Sequence, residues 1–228
     1  MEALYDKHFT CPVCKDEFTT KQVKKKHIKV LKRDSDLMVH YDAENPMVYS
    51  IVVCKKCGYS NLANKFEELN YKKKQLYQEN LSKIWKEKDY TGERTVREGI
   101  ETYKLMLFCE NLVGAKHYEK AGTILKISWL YRILGEAEEE IKFQEMALAL
   151  YQEAFETEDL SRGAVNEITV NYLIAELAFR LGELDLATKW MSSLISNRNL
   201  KNHPQIEKLA KEQWLKIKEK KQSDSGES

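Results

Sequence analysis

Two pairs of cysteines constrain this chain more than any other feature of its sequence. Cys11 and Cys14 form one C-x-x-C pair, and Cys54 and Cys57 form another after 39 intervening residues. A tight turn lets both sulfurs of such a pair face one ion, and two such turns complete a four-thiolate tetrahedron. Zinc is the commonest occupant of a four-cysteine site, and four cysteines leave no coordination position open for a substrate. We therefore predict a structural zinc centre with these four cysteines as its ligands.

Other uses of the cysteines stay open at this point. Iron in a rubredoxin-like site is one, because its turns also read C-x-x-C-G and four thiolates accept either metal. Thiol redox chemistry would need one pair of low pKa at a helix N-terminus in a βαβ setting, and neither pair follows a parallel-sheet pattern. His8, His27 and His40 lie near the pairs in the sequence, and we interpret them as ordinary strand or loop residues.

The segment between the two pairs alternates apolar and polar residues, as β-strands do. The alternating residues fall into three groups: Ile28 and Val30; Leu37, Val39 and Tyr41; and Met47, Tyr49, Ile51 and Val53. Turn residues separate the groups, first "DSD" and then "DAENP". This pattern predicts a three-stranded antiparallel meander that leads into the second cysteine pair. So small a sheet buries little surface, so metal binding would supply much of its folding free energy.

The apolar period changes to helical spacing from Asn61 onward. Apolar residues between Leu62 and Trp85 predict one long helix. Thr91 and Thr95 are the two candidate N-caps for the next helix. Further helices are predicted at about 115–134, 136–158, 164–181, 183–197 and 202–220, with glycines at the junctions.

Two of these helix junctions repeat. "LYRILGEAEEEIKF" and "LAFRLGELDLATKW" align at a spacing of 47 residues, with Gly135 on Gly182. The residues around the first junction match much of a tetratricopeptide pattern, although the spacing exceeds the usual 34 residues. We predict an α+β protein: a small N-terminal antiparallel zinc ribbon (residues 1–61), an all-α tetratricopeptide-like solenoid of helical hairpins (62–220) and a disordered tail (221–228).

Composition and missing motifs exclude several functions. The formal net charge is +1, which gives no overall attraction to nucleic acid or to an anionic membrane. The sequence has no glycine-rich phosphate loop, no HExxH and no G-x-S-x-G, so we predict that it is not an enzyme and find no small-molecule substrate site. It has no signal peptide and no apolar run long enough to span a membrane, which predicts a cytoplasmic protein without membrane contacts.

Several stretches also resemble a known family. These are "CPVCKDEF", "KRDSDLMVHYDAENPMVYSIVVCKKCGYSNL", "ERT" with the later "YKL", "WLYRILGE" and "NYLIAELAFRLGELDLATKW". They are similar to uncharacterised bacterial proteins that join an N-terminal CxxC…CxxCGY region to a tetratricopeptide-like helical region. The resemblance extends to about residue 200 and implies an architecture but no activity. Beside the four cysteines it highlights Arg33, Asp34, Asp36, Tyr41, Asn45, Pro46 and Tyr49.

These observations lead to two functional hypotheses from different classes. The first is a non-enzymatic zinc-binding adaptor that contacts a protein partner through the helical repeats and through the ribbon loops around Arg33, Asp34, Asp36, Tyr41, Asn45 and Tyr49. The alternative is a nucleic-acid-binding regulator that uses the basic run "KQVKKKHIKVLKR", including Lys24, Lys25 and Lys26. We also interpret that run as a solvated ribbon edge whose lysines discourage edge pairing.

Overall fold

The computed structural model describes residues 3–67, 69–160 and 166–226. Within them, antiparallel strand pairs occupy the N-terminal part and helices the remainder, which confirms the α+β class. The strands are β1 (Leu4–Thr10), β2 (Glu17–Val23), β3 (Val30–Arg33), β4 (Val39–Tyr41), β5 (Ile51–Val53) and β6 (Ser60–Leu62). The helices are α1 (Tyr71–Leu76), α2 (Val96–Leu112), α3 (His117–Leu134), α4 (Ala137–Thr157), α5 (Glu167–Arg180), α6 (Leu184–Ser196) and α7 (Pro204–Gly226).

The strands form three separate two-stranded hairpins, so the predicted three-stranded meander is wrong. β1 pairs with β2 from Leu4↔Val23 to Thr10↔Glu17. β3 pairs with β4 through an irregular register, and β5 pairs with β6. β5 therefore finds its partner beyond the second cysteine pair rather than in β4.

Local hydrogen bonding explains why the stretch before β5 does not continue the sheet. Residues Pro46–Tyr49 form a 3₁₀ helix. The side chain of Asn45 caps it by accepting a hydrogen bond from the Met47 amide at 2.9 Å, and Pro46 at its first position has a suitable fixed φ. A capped helical turn thus replaces the extended backbone that the alternation predicts.

The single long helix predicted from Leu62 to Trp85 is also wrong. α1 begins only at Tyr71, where the Asn70 side chain accepts a hydrogen bond from the Lys73 amide at 2.9 Å. It passes into a π-type turn at Tyr77–Leu81 after six residues. Of the two candidate N-caps of α2, Thr91 and Thr95, the structure uses Thr95, which forms a reciprocal capping box with Glu98.

The later helices lie close to their predicted positions. The predicted start of α5 at 164 and 165 lies outside the described residues. α7 continues to Gly226, so residues 221–226 of the predicted disordered tail are helical, and 227 and 228 lie outside the description. Ion pairs from Lys220 to Asp224 at 2.8 Å and from Lys221 to Asp185 at 2.7 Å favour the helical end.

The two repeated junctions have the same backbone geometry. Gly135 and Gly182 both adopt positive φ, at +73° and +81°. The amide after each glycine bonds a carbonyl five residues back, Glu136 to Tyr131 and Glu183 to Ala178. Each glycine amide also bonds the carbonyl three residues back, which completes a Schellman motif at both helix ends.

The chain packs as two compact units. The first contains the described residues within 1–33, 39–115 and 123–140, and the second those within 34–38, 116–122 and 141–228. In the first unit, α2 packs on β5, β6 and the 3₁₀ helix. The approach is close at Gly99, where an added Cβ would lie 3.4 Å from the Val48 backbone. In the second unit, α5 packs against α6 and α7 and is buried around most of its circumference. The predicted division at residue 61 stays a prediction.

Every described helix is too short or too polar to span a bilayer.

Candidate metal centre

Each cysteine pair lies in the turn at the tip of a hairpin. The first pair follows β1 and precedes β2, and the second follows β5 and precedes β6. The Cys11 amide donates to the Asp16 carbonyl at 2.8 Å, and the Cys54 amide donates to the Tyr59 carbonyl at 2.9 Å. The same bond at the same position in both turns makes the two hairpins equivalent cysteine knuckles.

The residue after the second cysteine closes each knuckle. The amides of Lys15 and Gly58 bond the carbonyls of Cys11 and Cys54 at 2.9 and 2.8 Å. Both residues have positive φ, +66° for Lys15 and +76° for Gly58. The sequence pattern anticipates this conformation at Gly58, whereas Lys15 carries a side chain in a region that L-residues rarely adopt.

The two knuckles bring the four sulfurs together. All four Sγ atoms lie within 4.8 Å of one another, and all four cysteines are free thiols. The Cys14–Cys54 and Cys11–Cys57 Sγ distances are 3.5 and 3.6 Å, and each joins sulfurs of different pairs. With Zn–S bonds of about 2.3 Å, the edges of a tetrahedral site measure about 3.8 Å. The cluster could therefore hold a metal ion.

The thiols perturb one another electrostatically because they are so close. Hydrogen bonds from Cys11 and then Cys57 lower the pKa of Cys54 to about 2. Hydrogen bonding with Cys54 raises the pKa of Cys11 to about 12, and hydrogen bonding with Cys11 raises that of Cys57. One thiolate is stabilised at the expense of its neighbours, so four thiolates require a cation to balance their charge.

An aromatic cluster surrounds the sulfurs. Cys11, Cys54 and Cys57 are buried, and Cys14 is partly exposed. The Phe66 ring packs on three neighbouring rings, with centroid distances of 5.6 Å to Phe9, 5.9 Å to Phe18 and 5.1 Å to Tyr59. Tyr77 adds a further contact to Tyr59 at 5.0 Å. This apolar shell limits access of water to the centre.

A segment of residues 71–88, called here the covering segment, contacts both knuckles. The Gln78 side chain donates to the Val13 carbonyl at 3.2 Å in the first knuckle, and the Trp85 indole donates to the Lys55 carbonyl at 2.7 Å in the second. A Cβ on Gly58 would lie only 2.6 Å from the Trp85 ring. The sequence predicts a turn conformation at Gly58. It does not predict the contact of Gly58 with Trp85, because the apolar spacing places Trp85 in a long helix.

Arg94 is a second residue whose role the sequence does not reveal. Its buried guanidinium donates to the carbonyls of Ile51 and Tyr90, each at 2.7 Å, and to Thr20 Oγ1 at 3.2 Å. Burial lowers the pKa of Arg94 to about 10, so the side chain stays charged at neutral pH. Arg94 therefore joins β2, β5 and the loop before α2.

The residues predicted to form a contact surface have different environments. Arg33 is exposed in β3, Tyr41 in β4 and Asp34 are partly exposed, and Asn45 caps the 3₁₀ helix. Asp36 and Tyr49 are buried. A contact role for this set stays a prediction, and Asp36 and Tyr49 would need to act through the loops that they support.

Asp36 belongs to a buried polar network of the second unit. Its carboxylate lies 3.7 Å from the Arg180 guanidinium, which also bonds Glu176 at 2.7 Å. Ser35 donates to the same Glu176 oxygen at 2.6 Å. Burial raises the pKa of Glu176, whose Oε2 has no hydrogen-bond partner among the described residues. This network fixes the loop of residues 34–38 on α5.

The histidines considered as alternative ligands do not join the sulfur cluster. Within the described ranges, the four cysteines form the only group of three or more candidate ligand side chains close enough to share an ion. This grouping excludes His8, His27 and His40 from the cluster.

The chain belongs to the bacterial family described as "Uncharacterized protein conserved in bacteria (DUF2225)", whose profile matches residues 4–217. This match confirms the family resemblance noted in the sequence. No curated protein and no solved structure matches the chain.

Proposed function

We propose that this protein is a non-enzymatic adaptor in which a structural zinc ion supports a surface that binds a partner protein. The observation that carries the proposal is the convergence of four thiols, all within 4.8 Å of one another, at the tips of two equivalent knuckles. Four protein ligands leave no position for a substrate or an activated water, as in structural rather than catalytic zinc sites. We place the protein in the cytoplasm, where thiols stay reduced.

We prefer zinc over iron because zinc is the commonest ion in closed structural sites of four cysteines. The same ligand set would accept iron, as in rubredoxin, so the metal has to be measured. Metal analysis of protein purified under anaerobic conditions should give a colourless sample with one zinc per chain. A coloured sample with stoichiometric iron would instead favour an electron-transfer role.

The adaptor proposal includes a tetratricopeptide-like arrangement of the helical region. Its support is the pair of Schellman turns at Gly135 and Gly182, 47 residues apart in the sequence and matched bond for bond. Ala147, Tyr151 and Ala154 of α4 are buried where the repeat pattern expects small and aromatic residues. Stacked helical hairpins of this type present surfaces suited to proteins or peptides.

A pull-down from native cytoplasm tests the adaptor proposal directly. The tagged full chain should capture a protein partner whose recovery survives nuclease treatment, with the partner identified by mass spectrometry. Cys54→Ser provides the metal-site control, because the variant loses one of the four ligands. Recovery of no reproducible partner by the wild-type chain would contradict the adaptor proposal.

The second candidate is a nucleic-acid-binding regulator. Residues 24–33 contain six lysines and arginines and no acidic residue, and all four residues of β3 are exposed. Affinity for RNA or DNA should then fall steeply with salt. Replacing Lys24, Lys25 and Lys26 by glutamine should abolish binding. The same replacement of Lys72, Lys73 and Lys74, an equally long lysine run, should leave it intact.

A further inference from the structure

The covering segment and α2 enclose an apolar groove on the first unit. Its volume is about 500 Å³, within the usual range for ligand-binding clefts. It is lined by Leu81, Ile84, Trp85, Lys88, Tyr90, Glu101, Lys104, Leu105 and Phe108.

Large apolar side chains are exposed at this groove. Ile84 is 63% exposed and Phe108 is 38% exposed. Trp85 also lines the groove, and its indole donates a hydrogen bond to the Lys55 carbonyl in the second knuckle. Apolar side chains clustered at an exposed concavity, rather than scattered singly, indicate an interaction site.

The covering segment, which forms one wall of the groove, carries a net positive charge. The covering segment carries six lysines against two glutamates. Glu101, the one acidic lining residue, bonds Lys88 at 2.6 Å and the Tyr90 hydroxyl at 2.7 Å, and its hydrogen bond with Lys88 lowers its pKa. Its charge is therefore balanced by Lys88, which leaves the other five lysines of the covering segment to attract acidic groups.

The α2 wall indicates the shape of the occupant. Glu101, Lys104, Leu105 and Phe108 stand at positions i, i+3, i+4 and i+7, so they form one face of the helix over two turns. A second helix packs on such a face by placing its own side chains between these. A surface that inserts into a membrane points its apolar side chains outward into the bilayer. The groove is concave instead, which favours a protein segment as its occupant.

We propose that this groove binds an acidic amphipathic helix of a partner protein, with apolar side chains entering between the covering segment and α2 and carboxylates facing the surrounding lysines. This inference rests on the proposed adaptor function and names the surface and the chemistry of its partner. Because Trp85 contacts both the groove and the second knuckle, metal removal should also weaken helix binding.

The test uses a phage-displayed library of random peptides of about 16 residues, roughly four helical turns, selected on the zinc-loaded full chain. Enriched peptides should combine helically spaced apolar residues with net negative charge. Synthetic copies should bind with a change in tryptophan fluorescence and lose affinity as salt rises. Enrichment of basic peptides, or of no groove-dependent sequence, would overturn the proposal.

Two matched variants locate the binding site. Ile84→Glu places a carboxylate in the groove, and Leu215→Glu makes the same change at a site on α7 that is 60% exposed. Ile84→Glu should weaken peptide binding at least about tenfold, whereas Leu215→Glu should leave it unchanged. Equal binding by both variants would refute the groove as the site.

The same variants separate this inference from the adaptor function itself. If the wild-type chain captures a partner in the pull-down and Ile84→Glu captures it equally, the adaptor function stands and the groove proposal fails. If the wild-type chain captures none, the adaptor function fails. Anionic vesicles or single-stranded DNA that bind the wild type and not Ile84→Glu would reassign the groove to a membrane or to nucleic acid.

Discussion

Replacing Gly58 by alanine should disrupt the second knuckle through two separable effects. The backbone at Gly58 has φ +76°, which costs an L-residue about 1–2 kcal/mol. The new Cβ would also lie 2.6 Å from the Trp85 ring, so the ring has to move. Its movement breaks the 2.7 Å bond from the indole to the Lys55 carbonyl, at a cost of about 1 kcal/mol. We expect a total loss of about 3 kcal/mol once the displaced aromatic packing is included.

Gly114→Ala is the matched control for this prediction. Gly114 also has positive φ, +60°, but a Cβ there would meet no atom within 4 Å. It should show the backbone cost alone, about 1–2 kcal/mol. The excess loss in Gly58→Ala then measures the contact with Trp85.

Urea unfolding and zinc transfer to a colorimetric chelator measure the two variants. Gly58→Ala should unfold at lower urea than Gly114→Ala and release zinc faster. In a Trp85→Ala background the extra cost of Gly58→Ala should disappear, because the two sites are coupled through direct contact. Identical unfolding midpoints and identical zinc release for the two glycine variants would refute the reasoning.

Three further variants test other parts of the structure. Cys54→Ser should abolish zinc binding by metal analysis and unfold the ribbon while circular dichroism retains most of the helix signal; wholesale helix loss would contradict a modular ribbon. Arg94→Met leaves buried carbonyls without a donor and should lower the free energy of unfolding in urea by about 3 kcal/mol. Its control, Arg97→Met at an exposed site, should change that free energy by less than about 0.5 kcal/mol. Burial raises the pKa of Glu176 above its ordinary 4.5, so the folded state holds a proton that the unfolded state releases. Stability should therefore fall as pH rises from about 4.5 through the raised pKa. Glu176→Gln should flatten that part of the stability curve, and an unchanged slope would show that another group causes it.

The cysteine turns and the helix ends were predictable because each depends on residues close together in the chain. A C-x-x-C turn brings its two sulfurs together through a few backbone bonds, as at Cys54 and Gly58. The capping box at Thr95 and the glycine turns are equally local. Local rules of this kind act whatever the rest of the chain does, so sequence reasoning locates them well.

The errors concern choices between local preferences and long-range pairing. Residues 46–49 alternate like a strand, but Asn45 and Pro46 favour a capped helical turn. The partner of β5 is β6, beyond the second knuckle, and no periodicity in β5 specifies that partner. The apolar residues from Leu62 to Trp85 follow helical spacing, yet α1 holds only six residues and their aromatic rings pack around the thiols. Tertiary packing around the cysteine cluster therefore overrides the helical apolar period of residues 62–85.

The structure of the first unit also explains why partner binding should depend on the metal. Three two-stranded hairpins are each marginal alone, and two of them meet through four buried or partly buried thiols. Without a cation, the four converging thiols have no ion to bind, and the knuckles lose the metal–sulfur bonds that would fix them together. The second knuckle supports Trp85 through the Lys55 carbonyl and the close approach at Gly58. Trp85 in turn forms part of the groove wall. A chelator should therefore weaken binding of the acidic helix without touching any residue that contacts it, and readdition of zinc should restore it.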